Sequence, residues 1–224
     1  MKRGLVIGFF LLIGLSPPVF AQRTYRSAQV TSAGDAYVPF QVMIDGFFVF
    51  DVLLNDDGTL QRVDALRDPG AMPDAAKTSI SSWKFRPASK DGEAAPSRMT
   101  VSFVYRPPNY GNAAAVAPAS FSPVLPPEQP EFSEHGNYVP VGILSFAYPA
   151  YPVNSVAWGS VVVQLTVDDS GGVKAIQFLH GMAGFNNLVS DTLNKWRFRA
   201  AILDGKPVTS KTVIAFVFQT PAGH

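Results

Sequence analysis

The sequence predicts an α+β protein of two similar units, each a short antiparallel β-sheet with one helix packed on a face. The first observation is a repeat: Trp83-Lys84-Phe85-Arg86 returns 113 residues later as Trp196-Arg197-Phe198-Arg199. Residues 46–108 align with residues 159–221 without a gap, and 15 of the 63 aligned positions are identical. The second observation is that each copy has the order strand, strand, helix, strand. A period this long indicates two small domains rather than a stacked solenoid.

The first two strands of each copy are joined by a glycine turn. In the second copy, the apolar residues at every other position of 161–167 predict a strand with one buried face. Asp168 to Gly172 predicts a turn, because glycine accepts positive φ and aspartate bonds to its own backbone. Residues 173–179 are the returning strand. The first copy has the same order, with strands over 47–54 and 60–66.

A helix and a last strand complete each copy. The apolar helical faces consist of Met72, Ala76, Ile80 and Trp83 in the first copy, and of Phe185, Val189, Leu193 and Trp196 in the second. An Asp-Gly turn then leads to a last strand over 99–105 or 212–218. The predicted core aromatic residues are Trp83, Phe85, Phe103, Trp196, Phe198 and Phe216.

The N-terminus predicts export. Lys2 and Arg3 precede an apolar run from Leu5 to Leu15, which is too short for a membrane span but typical of a signal peptide. Cleavage is predicted between Ala21 and Gln22, and an uncleaved anchor is the alternative. A cleaved signal of this kind predicts that the mature chain is exported from the cytoplasm.

The domain boundaries follow from the repeat and from a proline-rich segment. Residues 107–136 contain seven prolines and no apolar periodicity, which predicts a semi-extended linker. The predicted order is therefore a signal peptide at 1–21, a first domain at 22–106, the linker, and a second domain at 137–224. Within the first domain, residues 22–45 have no clear pattern beyond the alternation of Val38 to Ile44.

The composition argues against catalysis, metal binding and nucleic-acid binding. The chain has no cysteine, three scattered histidines, a formal net charge of +1 and no basic run. The acidic pairs Asp56-Asp57 and Asp168-Asp169 stand beside turn glycines, where carboxylates cap backbone N–H groups. Arg86 and Arg199 follow the predicted helix ends, where a cation favours the helix dipole; pairing with a partner is the alternative. We therefore expect a protein without enzymatic activity or a cofactor.

The second copy resembles the C-terminal domain of TonB and its relatives. The resemblance rests on Tyr148-Pro149, Gly159-Ser160-Val161, Asp169 to Gly171, Trp196 to Arg199, Asp204 to Val208, and Val213 to Phe218. The first copy is a degenerate relative, because it lacks the Tyr-Pro pair and has Glu93-Ala94-Ala95 where the second has Lys-Pro-Val.

The resemblance implies a binding mode in which an extended segment of an outer-membrane transporter joins the sheet edge by β-augmentation. The candidate edge is the last strand, and Tyr148-Pro149 is a second candidate contact unless Pro149 only sets the entry of the chain. The predicted peptide-binding residues are Tyr148, Pro149, Thr212, Val213, Ile214, Ala215, Phe216, Val217 and Phe218.

Three functions follow from these features. The leading hypothesis is an adaptor that binds an envelope protein in the periplasm of a Gram-negative type of bacterium, the location that the resemblance implies for an exported chain. The energy-transducing relatives keep an uncleaved N-terminal membrane helix followed by a long spacer, whereas this sequence predicts a cleavable signal and has its proline-rich segment between the two domains. The alternatives are a transport component with a retained N-terminal anchor, and a structural envelope protein that associates with itself as a homodimer.

Overall fold

A computed structural model of the chain describes residues 25–36, 44–67, 73–106, 119–120, 137–149 and 157–219. The predicted signal peptide and its cleavage site at Ala21 and Gln22 lie outside these residues, as does most of the predicted linker. The described part is mostly β-structure with two helices, which confirms the α+β class.

The first repeat contains eight strands and one helix. They are β1 (Tyr25–Arg26), β2 (Gln29–Ser32), β3 (Gly46–Leu54), β4 (Leu60–Arg67), α1 (Pro73–Ser82), β5 (Lys84–Arg86), β6 (Ala88–Lys90), β7 (Glu93–Ala95) and β8 (Ser97–Arg106). A two-residue strand, β9 (Ala119–Ser120), follows within the predicted linker.

The second repeat has the same elements 113 residues later. They are β10 (Tyr138–Val139), β11 (Gly142–Phe146), β12 (Gly159–Val167), β13 (Val173–His180), α2 (Asn186–Leu193), β14 (Arg197–Arg199), β15 (Ala201–Leu203), β16 (Lys206–Val208) and β17 (Ser210–Phe218). The structural repeat therefore begins at Tyr25 and Tyr138, well before the part in which the sequences align clearly.

The long strands of both repeats form one six-stranded sheet in the order β13-β12-β17-β8-β3-β4. Neighbours are antiparallel except β17 and β8, the two last strands, which pair in parallel from Val213↔Val101 to Phe218↔Arg106. The repeats are thus joined through their last strands. The predicted boundaries at 22–106 and 137–224 remain a prediction, but the two halves share a sheet.

Each helix covers a different face of this sheet. Alternate residues of β3 show it: Phe48 and Phe50 pack in a core with Ile80 of α1, whereas Phe47 and Val49 pack in a core with Val189 of α2. The equivalent strands β8 and β17 are parallel neighbours, so a two-fold axis along the strands relates the two repeats. This rotation reverses the faces of the sheet, and the two helices therefore lie on opposite faces. Both cores contain strand residues from both repeats.

The segments before the two long hairpins cross to the opposite repeat. We call Tyr25–Ala36 the first arm and Tyr138–Pro149 the second arm. In the first arm, the Val30 N–H donates to Gln164 Oε1 at 2.9 Å and the Ala36 N–H donates to Ser160 Oγ at 2.8 Å, both groups of the second repeat. Each arm also pairs with its own repeat, through β2–β5 and β11–β14. The arms therefore hold the halves together.

The segment after each helix is a strand, which the sequence did not predict. The helices end at Ser82 and Leu193, and the Trp-[Lys/Arg]-Phe-Arg residues continue into β5 and β14. Arg86 and Arg199 consequently lie on strands, and the prediction that they cap helix ends is wrong. The Asp-Gly turn is confirmed: Asp91 and Asp204 both have positive φ, as the first residue of a tight hairpin turn requires.

Gly171 is held in a conformation that alanine tolerates poorly. Its φ is +86°, and a Cβ there would lie 2.4 Å from the carbonyl oxygen of Phe198. We expect Gly171→Ala to lower the free energy of unfolding by more than the roughly 1–3 kcal/mol of a positive φ alone. Gly184→Ala is the matched control, because Gly184 has a φ of +81° with nothing within 4 Å of the added Cβ. Urea unfolding measures both; equal losses would contradict the steric argument.

Candidate functional site

The strand predicted to bind a peptide lies inside the sheet. β17 pairs with β12 on one side and with β8 on the other, and every residue from Thr212 to Phe218 is buried. The prediction of an open edge is therefore wrong for Thr212, Val213, Ile214, Ala215, Phe216, Val217 and Phe218. The last strand of the other repeat occupies the position at which a peptide would pair.

Tyr148 and Pro149 lie at the end of the second arm, and Tyr148 contacts the first repeat. Pro149 is buried and Tyr148 is half-buried. The Tyr148 ring contacts Phe146 edge-on at 5.2 Å, and the Arg106 guanidinium stands 5.5 Å from its centroid. Burial raises the pKa of the Tyr148 hydroxyl. In this chain, Tyr148 therefore helps to join the two repeats.

The aromatic residues predicted for the core surround the two tryptophans. Trp83, Phe103, Trp196, Phe198 and Phe216 are buried, and Phe85 is partly buried. The Trp196 indole N–H donates to the Ala147 carbonyl at 3.1 Å, whereas no described group accepts the N–H of Trp83. The second tryptophan is thus fixed by the second arm as well as by packing.

The outer strands β4 and β13 form the two open edges of the six-stranded sheet. Among the described residues, each pairs on one side only, β4 with β3 and β13 with β12. They are equivalent strands of the two repeats and are both eight residues long. An edge strand of this length presents unpaired N–H and C=O groups to which an extended chain can bond.

The two edges differ in charge. β4 carries Arg62, Asp64 and Arg67, and the Arg62 Nε is 2.8 Å from a carboxylate oxygen of Asp64. In β13, residues 175–179 are uncharged and the Phe178 side chain is 38% exposed. Because charged side chains protect an edge from pairing, β13 is the more accessible of the two edges.

Comparison with protein families gives a clear match. The family described as Gram-negative bacterial TonB protein C-terminal matches residues 41–107 and 145–220, one segment in each repeat, and the two segments cover more than half of the chain. The chain belongs to the TonB C-terminal family. Comparison with curated proteins and with solved structures gave no significant match.

TonB C-terminal domains belong to envelope-associated energy transducers and adaptors that interact with outer-membrane transporters, and the family is not enzymatic. Neither helix among the described residues is long and apolar enough to cross a membrane. The described residues contain no group of three or more His, Asp or Glu side chains that could hold a metal ion.

The TonB-family match misses the whole first arm and the beginning of the second, and the sequence does not predict the strands of either arm. The first matched segment begins after the first arm, and the second begins inside β11. The only identities between the arms are Tyr25 with Tyr138 and Ser32 with Ser145, at the same offset of 113 residues. Two identities are too few to extend a repeat by sequence, although they stand in the correct register.

Proposed function

We propose that this chain is a periplasmic adaptor in which the two TonB C-terminal repeats form one body and bind an extended segment of an envelope protein along β13. The observation that carries the proposal is that the two outer strands differ in charge and in exposed apolar surface. β13 combines an open backbone edge with five uncharged residues and the exposed Phe178, whereas the charges of β4 discourage pairing.

The shared sheet favours an adaptor over the first alternative, a transducer of TonB type. The resemblance implies β-augmentation at a sheet edge, and the sequence predicts the last strand as that edge. Here both last strands join the repeats. A partner that needed this strand would have to separate β17 from β8 over six paired residues, Val213 to Phe218. Export by residues 1–21 is part of the same proposal.

A proline scan along β13 tests the binding edge. The N–H groups of an outer strand alternate between its neighbour and solvent, so proline at one alternate set breaks the bonds to β12 and at the other set removes only outward donors. Variants at 175, 176, 177 and 178 should divide into an unfolded set and a folded set by circular dichroism. The folded set should lose about tenfold or more in affinity for the partners recovered from envelope extracts.

Two further variants give the scan a matched control. Phe178→Lys adds a charge to the β13 edge and should also abolish capture, whereas Ala65→Lys makes the same change at the equivalent position of β4 and should not. Capture that is unchanged in the folded proline variants and in Phe178→Lys would overturn the β13 proposal. If the wild-type chain is dimeric and these variants are monomeric by sedimentation, β13 pairs with a second copy and the self-association alternative is correct.

A further inference from the structure

A cavity lies where the first arm meets the start of β17. Its volume is about 380 Å³, and it lies between the two repeats, since Arg26 and Arg86 come from the first and Lys211 from the second. The neutral groups around it include the side chains of Ser89, Thr166 and Thr209. The cavity is separate from the β13 edge, and polar and apolar groups line it in similar measure.

Three cationic residues line this cavity, and none of its described lining residues is an aspartate or a glutamate. The three are Arg26 of β1, Arg86 of β5 and Lys211 of β17. The Lys211 Nζ donates to Gln29 Oε1 at 2.7 Å, a neutral acceptor. Burial, together with the nearby charge of Arg86, lowers the pKa of the Lys211 ammonium. Arg26 and Arg86 are exposed and Lys211 is half-buried, so water screens part of the repulsion among the three charges, and a bound anion would offset the rest.

At the equivalent place in the other half of the molecule, the cation has a carboxylate partner. Arg98 stands at the position equivalent to Lys211, and it forms a buried ion pair with Asp51. The counterpart of Asp51 in the second repeat is Gln164, an amide that carries no charge. The charge of Lys211 is therefore left without the partner that its counterpart has.

The other two cations of the cavity, Arg26 and Arg86, also differ from their counterparts in the second repeat. The counterpart of Arg26 is Val139, so one half of the molecule has an additional positive charge at this point. Arg199, the counterpart of Arg86, donates to the carbonyl oxygen of Pro140 at 3.3 Å. Among the described residues, this set of cations therefore occurs in one half of the pseudo-symmetric molecule and not at the equivalent place in the other half.

We propose that this cavity binds a phosphate monoester carried by a hydroxylated small molecule or headgroup. A phosphate monoester carries a charge of about −1.5 to −2 at pH 7, which suits three cations better than a single carboxylate does. The planar guanidinium of Arg86 matches phosphate oxygens in pairs, and Lys211 supplies a point charge. The cavity exceeds the size of a phosphate ion, and its hydroxyl groups provide partners for a sugar or glycerol body.

Calorimetry with the full chain tests the site. Glucose 1-phosphate should bind, glucose should not, and glucuronate, which carries a single negative charge, should bind at least tenfold more weakly. Arg86→Gln and Lys211→Gln should each weaken glucose 1-phosphate by about tenfold or more, the loss of one charge-assisted hydrogen bond. Lys195→Gln removes the same charge from an exposed position outside the cavity and should bind as the wild type does.

Gln164→Glu is the sharper variant, because it restores a carboxylate where the other repeat has Asp51 and can still accept the Val30 N–H. It should abolish phosphate binding in a folded protein. Flotation with vesicles of phosphatidylcholine containing phosphatidic acid distinguishes the source: binding to vesicles but not to glucose 1-phosphate indicates a lipid headgroup, and the reverse a soluble ligand. Absence of binding to both, or unchanged binding in the folded Arg86→Gln and Gln164→Glu variants, would overturn the proposal.

Discussion

Replacing Trp196 with alanine should lower the free energy of unfolding of the whole described fold, and not only of the second repeat, by about 3–5 kcal/mol. The Trp196 ring contacts Phe47 at 5.6 Å and Phe146 at 5.9 Å, and it stacks on Phe198 at 6.0 Å. Phe47 belongs to β3 of the first repeat and Phe146 to the second arm. An empty space at this point therefore removes packing from both halves, and the Ala147 carbonyl loses the indole N–H as well.

The measurement is urea unfolding followed by circular dichroism and by fluorescence of the remaining tryptophans. Because Trp83 reports on the first repeat, its transition in the Trp196→Ala variant should coincide with the loss of secondary structure. Trp158→Ala is the control, since this side chain is 67% exposed, and it should change stability by less than about 0.5 kcal/mol. A Trp83 transition that stays at the wild-type urea concentration would show that the two repeats unfold independently.

The sequence of β17 predicts a strand, but it does not favour an open edge. The alternation of Ile214, Phe216 and Phe218 predicted a strand with one buried face, and the strand is there. The intervening residues Val213, Ala215 and Val217 are also apolar, however, and they pack in the other core. An apolar run on both faces is typical of a central strand, so the sequence already argued against an open edge. The sequence repeat does not indicate that the last strand of one copy pairs with the last strand of the other.

The short strands and the arms were beyond prediction for a different reason. β5, β6 and β7 are three residues long each, too short for any period to show. The arms bury apolar side chains such as Val30, Ile143 and Phe146, but their positions also depend on groups far away in the sequence. Gln164, for example, accepts the Val30 N–H across 134 residues. The glycines and the Asp-Gly turns, by contrast, were predictable, because their positive φ is a local requirement.

The buried charges break the pseudo-symmetry of the sheet. Asp51 and Arg98 lie diagonally across β3 and β8, fully buried or nearly so, while the counterpart residues Gln164 and Lys211 lie diagonally across β12 and β17. The first pair satisfies itself within the core. The second leaves a cation at the edge of the cavity, and this difference is the origin of the proposed anion site.

Replacing Arg98 with methionine should therefore cost about 3–5 kcal/mol at pH 7, because it leaves the Asp51 carboxylate buried without its partner. Burial already raises the pKa of Asp51, an effect that Arg98 opposes. A carboxyl group whose pKa is higher in the folded state stabilises the fold while it is protonated, and this stability is lost as pH rises through the folded pKa. The deficit of the variant should consequently shrink as the pH is lowered from 7, where the carboxylate becomes neutral.

Urea unfolding of the variant at several pH values measures this. Lys211→Met is the matched control: it makes a similar change at the equivalent position, where Gln164 leaves no carboxylate behind, so its cost should be about 1 kcal/mol or less and should not fall with pH. Combining Asp51→Leu with Arg98→Met should recover most of the lost stability, since an apolar pair needs no counter-charge. A small, pH-independent loss in Arg98→Met would mean that water reaches Asp51. The difference between Asp51 and Gln164 would then not explain the anion site that we propose beside Lys211.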